Sequence, residues 1–241
     1  MVTHAIVLGP EFDTIPDDTE DSLMGSAGHQ DTIHVIYDGV RLCAVRRDEP
    51  WFVGNQLFLP ILQEGRNLPR RIAPDIMVYR SLALPNDPGS LAVALYGPPV
   101  LVIEVASPAT ALGNDVNLRD QRAKPQLYER IGVDEYLVYD PVGEMLGERI
   151  WARRRGPNGF VLWEPEGGTH GSGSGRWHSA LGISFAPQGM LLRVYDHDGR
   201  LVPLSMEFDA MLAERDRQNA EKDRRLAELE AELRRLRGER P

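Results

Sequence analysis

Apolar and polar positions along this chain follow two alternating periods, and the switches between them mark the elements. From Ala27 to Arg46, behind Gly25 and Ser26, the residues Ile33, Ile36, Tyr37, Val40, Leu42 and Ala44 recur at helical spacing and predict an amphipathic helix. Trp51 to Leu59 reads as a strand, followed by a turn at Glu64-Gly65-Arg66-Asn67. Ile72 to Tyr79 and Val100 to Ala106 are short, nearly unbroken apolar runs of the kind that form strands buried on both faces. A Pro- and Gly-containing loop, Leu84 to Pro99, joins them. A short helix around Gln121 to Ile131 and a strand from Asp134 to Asp140-Pro141 follow. The order strand, strand, helix, strand implies an α/β core built on a mixed sheet flanked by helices. From Arg149 to Leu204 the pattern becomes β-rich, with Phe160–Trp163 and Leu191–Tyr195 as strands of added β-hairpins.

The last segment, Glu207 to Arg237, is a charged helix in which Leu226, Leu229, Leu233 and Leu236 follow the 3-4-3 spacing of a coiled-coil seam. Traced backwards, the register meets Lys222, Asn219 and Arg215, so this seam is apolar in its last two heptads. An oligomerisation helix and a solvated amphipathic helix both fit. The pattern divides the chain into an acidic, mobile segment at 1–22, a domain at 23–205 and a helical tail at 206–241. A homodimer formed partly through the tail is the expected assembly.

Composition narrows the classes. The 241 residues, 42% of them hydrophobic, suffice for one sizeable core with an appendage. The single cysteine, Cys43, excludes an internal disulfide and a cysteine-rich zinc site, and fits a reducing cytoplasm. No apolar run is long enough for a bilayer, and the first residues lack the layout of a secretory signal. The net charge of −9 argues against binding nucleic acid over a broad surface. Much of that charge lies in Glu11, Asp13, Asp17, Asp18, Glu20 and Asp21, however, while Arg66, Arg70, Arg71, Arg119, Arg122 and Lys124 form local basic groups.

Candidate chemistry sits where polarity interrupts the buried strands. Six of the seven residues from Val100 to Ala106 are apolar, and Glu104 is the exception. A carboxylate there loses several kcal/mol of solvation unless a cation or strong donors compensate it. Asp75 lies near the start of the preceding apolar run. Two such acids on neighbouring strands suggest a site for one hard metal ion. The bland alternative makes Asp75 a turn acid after Pro74 and pairs Glu104 with an arginine. Pro125 suits the first turn of a helix, which puts Lys124 at the helix start, and Tyr128 shares its face four residues on. A lysine there could orient or deprotonate water, or steady charge on a phosphate; otherwise it is an ordinary surface lysine. His170, in a Gly- and Ser-rich run, reads as solvated, and His197, in Asp196-His197-Asp198-Gly199, as hairpin punctuation.

These residues together resemble a known family. Pro74-Asp75, Glu104-Val105-Ala106-Ser107-Pro108-Ala109-Thr110, Asp115, Lys124, Tyr128, Gly132-Val133-Asp134-Glu135-Tyr136 and Asp140-Pro141 are similar to the Uma-two family, described as restriction-endonuclease-like, in the PD-(D/E)XK nuclease superfamily. Ser179–Ile183, Leu192–Asp196 and the charged tail match its layout, so the resemblance runs from about Gly25 onward. It implies a restriction-endonuclease-like fold and Mg²⁺-dependent cleavage of DNA, with Mn²⁺ as a substitute. Asp75 and Glu104 would be metal ligands, the backbone carbonyl of Val105 a third, and Lys124 the catalytic lysine. The superfamily places that lysine two residues after the glutamate, where this chain has Ala106; Lys124 from the next helix would replace it, across an approach lengthened by 117–120. His29-Gln30 resemble a pair in the family that would line the cleft. Two rival functions stand beside this one. A catalytically weak relic would serve as a binding or assembly module through its tail, and a metal-dependent hydrolase would act on some other phosphoester.

Overall fold

The computed structural model describes residues 6–13, 15, 17–19, 27–81, 89–106, 123–168 and 175–237. A contact-dense unit extends to Val202, and the chain from Pro203 onward forms a second.

The first unit is organised around a six-stranded sheet. In spatial order its strands are β2 (Phe52–Asn55), β5 (Ile76–Tyr79), β6 (Leu101–Val105), β7 (Glu135–Tyr139), β8 (Ile150–Gly156) and β9 (Gly159–Leu162). Only β6 and β7 run parallel; every other neighbouring pair is antiparallel. The parallel connection passes through helix α3 (Lys124–Ile131), as a crossover requires. The expected mixed α/β architecture is the one observed.

Strand alternation assigns the two faces. Ile76, Val78, Leu101, Ile103, Val105, Leu137 and Tyr139 face helix α1 (Ala27–Arg47) and a three-stranded antiparallel sheet of β10 (Trp177–His178), β11 (Ser184–Gln188) and β12 (Leu191–Tyr195). Met77, Tyr79, Val102, Tyr136 and Val138 face α3, the short helix α2 (Val93–Tyr96), and a sheet of β1 (Val7–Leu8), β3 (Leu59–Gln63) and β4 (Arg70–Ile72). Glu104 shares the side of Val102, so its carboxylate faces the α3 layer.

Several boundaries differ from the pattern reading. The single strand expected over 51–59 is two strands, β2 and β3, because Gln56 adopts a left-handed conformation with φ +50° and turns the chain. The run 72–79 is likewise interrupted between β4 and β5 at Ala73-Pro74-Asp75, where proline has no amide for a ladder. Helix α3 begins at Lys124 with Pro125 in its first turn, as expected. It ends at Gly132, whose φ of +100° suits only glycine there and lets the Gly132 and Val133 amides close on the Tyr128 carbonyl. Part of the loop expected over 84–99 is the helical turn α2.

The acidic lead-in is packed into the domain wherever it is described. β1 pairs in parallel with β3, Phe12 and Ile15 are buried, and Asp18 accepts the Ala73 amide at 2.9 Å. The turn expected at His197 is observed: the Asp196 carboxylate accepts the amides of Asp198 and Arg200. His170, Asp115 and residues 107–110 and 117–120 lie outside the described residues. The second unit contains helix α4 (Ser205–Leu236), opened by Glu207, whose carboxylate accepts the Leu204 amide at 2.8 Å.

Candidate active site

The turn before β5 is tied down from three directions. The Ala73 amide goes to Asp18, and the Gln56 amide, aimed by its left-handed backbone, donates to the carbonyls of Pro74 and Asp75, both at 3.1 Å. Ile76 pairs with Ile103, so one further step in the register sets Asp75 opposite Glu104. Directly opposed residues of an antiparallel pair have Cβ atoms about 5 Å apart. Asp75 thus lies beside the end of β6, within reach of the Val105 amide.

Each acid is buried and each is compensated. Asp75 is 9% exposed; its Oδ2 accepts the Val105 amide at 2.7 Å, and its Oδ1 lies 3.5 Å from His29 Nε2. Val105 reaches Asp75 because the parallel pairing with β7 uses its neighbours: the Ala106 amide donates to the Tyr139 carbonyl, leaving the Val105 amide directed toward β5. Glu104 is 3% exposed; its Oε1 is 2.9 Å from Lys124 Nζ and accepts the Tyr128 hydroxyl at 2.8 Å. Lys124, itself only 7% exposed, is no ordinary surface lysine. Burial foremost, and then the charge of Glu104, raise the Tyr128 phenol well above its ordinary value, so it stays protonated and donates.

The four residues expected at the site fall into two contacting pairs, Asp75 with Val105 and Glu104 with Lys124, joined by the Glu104–Val105 peptide bond. Two partners were not anticipated. His29, which a family resemblance suggests lines a cleft, meets Asp75, a pairing that its place near the start of an amphipathic helix does not reveal. Tyr128 was legible as a face-mate of Lys124, but its bond to Glu104 depends on how α3 docks on the sheet. The arginines before Asp75 do not form an open basic patch. Arg66 pairs with Asp17 at 2.6 Å, Arg70 is buried and bonded to Gln63 and to the Ile15 carbonyl, and Arg71 stacks 3.8 Å from the Phe58 ring centre.

Another group of metal-capable side chains, Asp196, His197 and Asp198, brings its ligand atoms within 4.8 Å of one another. The Asp196 carboxylate there is already used by the amides of its own turn and lies 3.5 Å from Arg46. The group is explained as turn structure.

A buried carboxylate just before β5, a second on β6 and a lysine reaching the second from a flanking helix form a polar cluster within a mixed α/β core. Residues 43–184 match the family model Uma2, described as "Putative restriction endonuclease", and the chain belongs to that family. It is also similar to a crystal structure described as a "putative nuclease belonging to DUF820" from Anabaena variabilis ATCC 29413, with 14% identity and a TM-score of 0.35 over 76% of this chain and 75% of that one. Among curated proteins, none matches the chain. Among the described residues no helix is long and apolar enough to cross a membrane.

Proposed function

We propose that this protein is a metal-dependent endonuclease that hydrolyses DNA phosphodiester bonds, with Asp75 and Glu104 as ligands of Mg²⁺ and Lys124 as the catalytic lysine. The observation that supports the reading is a buried carboxylate just before β5, bonded to the Val105 amide, next in the chain to a buried β6 carboxylate that pairs with the α3 ammonium. The donor set is all oxygen, which suits a hard divalent cation, Mg²⁺ or Mn²⁺. The Val105 carbonyl is the proposed third ligand, since its residue already contacts Asp75 through the amide. When bound, such an ion supplies an activated water and neutralises phosphate charge.

The chain's own residues do the rest. The Val105 amide and His29 hold the Asp75 carboxylate, and Tyr128 holds Glu104, so both acids are positioned before any ligand arrives. Lys124, fixed at the first turn of α3, brings positive charge beside the acids, where it can steady the charge that builds on the phosphate. The family's departure from its superfamily is also accounted for: Ala106, at the usual lysine position, is buried with its amide on Tyr139, and the ammonium comes from α3 instead. We further propose that the protein works as a homodimer held partly by α4.

Supercoiled plasmid with Mg²⁺ or Mn²⁺ is the test. Wild type should nick it, and Lys124→Ala should nick ~10²–10³-fold more slowly with metal affinity retained. Calorimetry should find Mn²⁺ binding that disappears in Asp75→Ala plus Glu104→Ala. Wild-type protein that binds Mn²⁺ but leaves several DNA forms intact would move the reading to a relic acting as a binding module. Unchanged Mn²⁺ binding in the double variant would remove the metal assignment.

A further inference from the structure

Helix α4 carries an apolar stripe longer than its leucine repeat. No residue of its 32 is buried, and Phe208, Leu212, Leu226, Leu229, Leu233 and Leu236 are exposed. With Leu226 and Leu233 at heptad position a, and Leu229 and Leu236 at d, the same register places Leu212 at a and Phe208 at d. The seam therefore has apolar ends and a polar centre of Arg215, Asn219 and Lys222. Such a seam cannot match itself equally well in both directions.

We infer that α4 pairs with the α4 of a second copy in antiparallel orientation. The inference rests on the dimer reading above and adds its geometry. Aligned in parallel, every seam residue meets its own copy, which stacks Arg215 on the partner's Arg215 and Lys222 on the partner's Lys222. Two layers of like charge then lie in the seam. Aligned antiparallel, Phe208 meets the partner's Leu233, Leu212 meets the partner's Leu229, and Arg215 lays its aliphatic stem along the partner's Leu226. Asn219 meets the partner's Lys222, so an amide oxygen faces an ammonium. The central cations then lie beside Asp216 and Asp223 of both helices.

Charge identifies a second copy as the occupant. The helix carries nine acidic and seven basic side chains distributed along its length, a balance suited to its own copy and poorly suited to an anionic membrane. The flanking pairs pull in both directions. Arg225 with the partner's Glu230 favours the parallel alignment, whereas Asp209 opposite the partner's Glu230 and Asp216 opposite the partner's Asp223 disfavour the antiparallel one. Exposed pairs of that kind are weak, whereas like charges enclosed in a seam are not.

Pulsed dipolar spectroscopy on the full chain decides it, with nitroxide labels on Ala220→Cys in one sample and Ala231→Cys in another. Both positions lie off the seam, and Cys43 is fully buried. Ala220 is close to the centre of the antiparallel alignment, so its two labels should be about 20 Å apart, the span of two helices. The Ala231 labels should lie well beyond ~30 Å, because a rise of about 1.5 Å per residue separates them along the axis. Short distances in both samples would overturn the antiparallel pairing and leave the dimer standing. No dipolar coupling in either sample would overturn it too: with a dimeric mass by light scattering the pairing lies elsewhere, and with a monomeric mass the dimer reading falls as well.

Discussion

Asp75, just before β5, Glu104 on β6 and Glu135 on β7 are buried acids, and each is held by different groups. Asp75 has a backbone amide and an imidazole, Glu104 has an ammonium and a phenol. Glu135 takes the Ser179 hydroxyl and the Ala180 amide, fastening β7 to the turn before β11. Burial outweighs those two hydrogen bonds and raises its carboxyl above the ordinary value near 4.5. A group whose folded value is raised contributes stability that is fully present below the unfolded value and is lost as pH rises through the folded one. Glu135→Gln keeps the shape and an oxygen for the Ala180 amide but cannot ionise. Relative to wild type, the variant should therefore gain stability as pH increases above about 4.5 and level off once wild-type Glu135 is ionised. Urea unfolding of both proteins at several pH values checks this. A stability difference independent of pH would show that Glu135 titrates alike in folded and unfolded chains.

At the scale of elements, α1 packs closely against β12. A Cβ added at Gly39 would lie 2.8 Å from a methyl of Val194 on β12, inside any real contact. Val194 is buried and β-branched, so it has little freedom to turn aside. Gly39→Ala gains about 0.5–1 kcal/mol of helix propensity but faces an overpacking cost of typically ~1–3 kcal/mol. Destabilisation by about 1–2 kcal/mol should result, read as a lower midpoint in chemical unfolding; a stabilised variant would mean that the helix shifts freely on the sheet. The extents of α1, β6, β7 and β12 were legible because each is a long or strongly periodic run. The start of α3 was legible because proline tolerates few helix positions. What the pattern did not reveal depends on distant pairing. Gln56 has no local reason to turn left-handed, and the parallel pairing of Val7–Leu8 with β3 joins segments more than fifty residues apart. Asp75 and Glu104 stood out because carboxylates are costly in buried segments, whereas the pairing of His29 with Asp75 depends on how α1 docks and has no local signal.

At the scale of the whole molecule, the chain divides near Val202 into two compact units. A chain ending at Ser205 should keep the thermal unfolding midpoint of the domain, since α4 contributes no buried residue to either core. Light scattering should show a lower mass than the full chain. Retention of the full-length mass would locate the dimer contact on the domain.

The packing of α1 has a further consequence, for the order in which the protein can be made. The apolar side of α1, with Ile33, Ile36, Val40 and Cys43, shares its core with Phe185, Leu192 and Val194, so an element made early in this domain waits for one made late in it. Until β12 has emerged, that side is incompletely covered, and a prematurely ended chain carries it into the cell as a sticky surface. Messages broken before codon 195 should therefore yield fragments cleared by proteases or lost to aggregation, while breaks beyond codon 205 yield a folded domain. The strand that seals the face of the sheet opposite Glu104 is thus among the last pieces of the domain to be synthesised, so the sheet carrying that carboxylate is fully covered only near the end of the domain's synthesis.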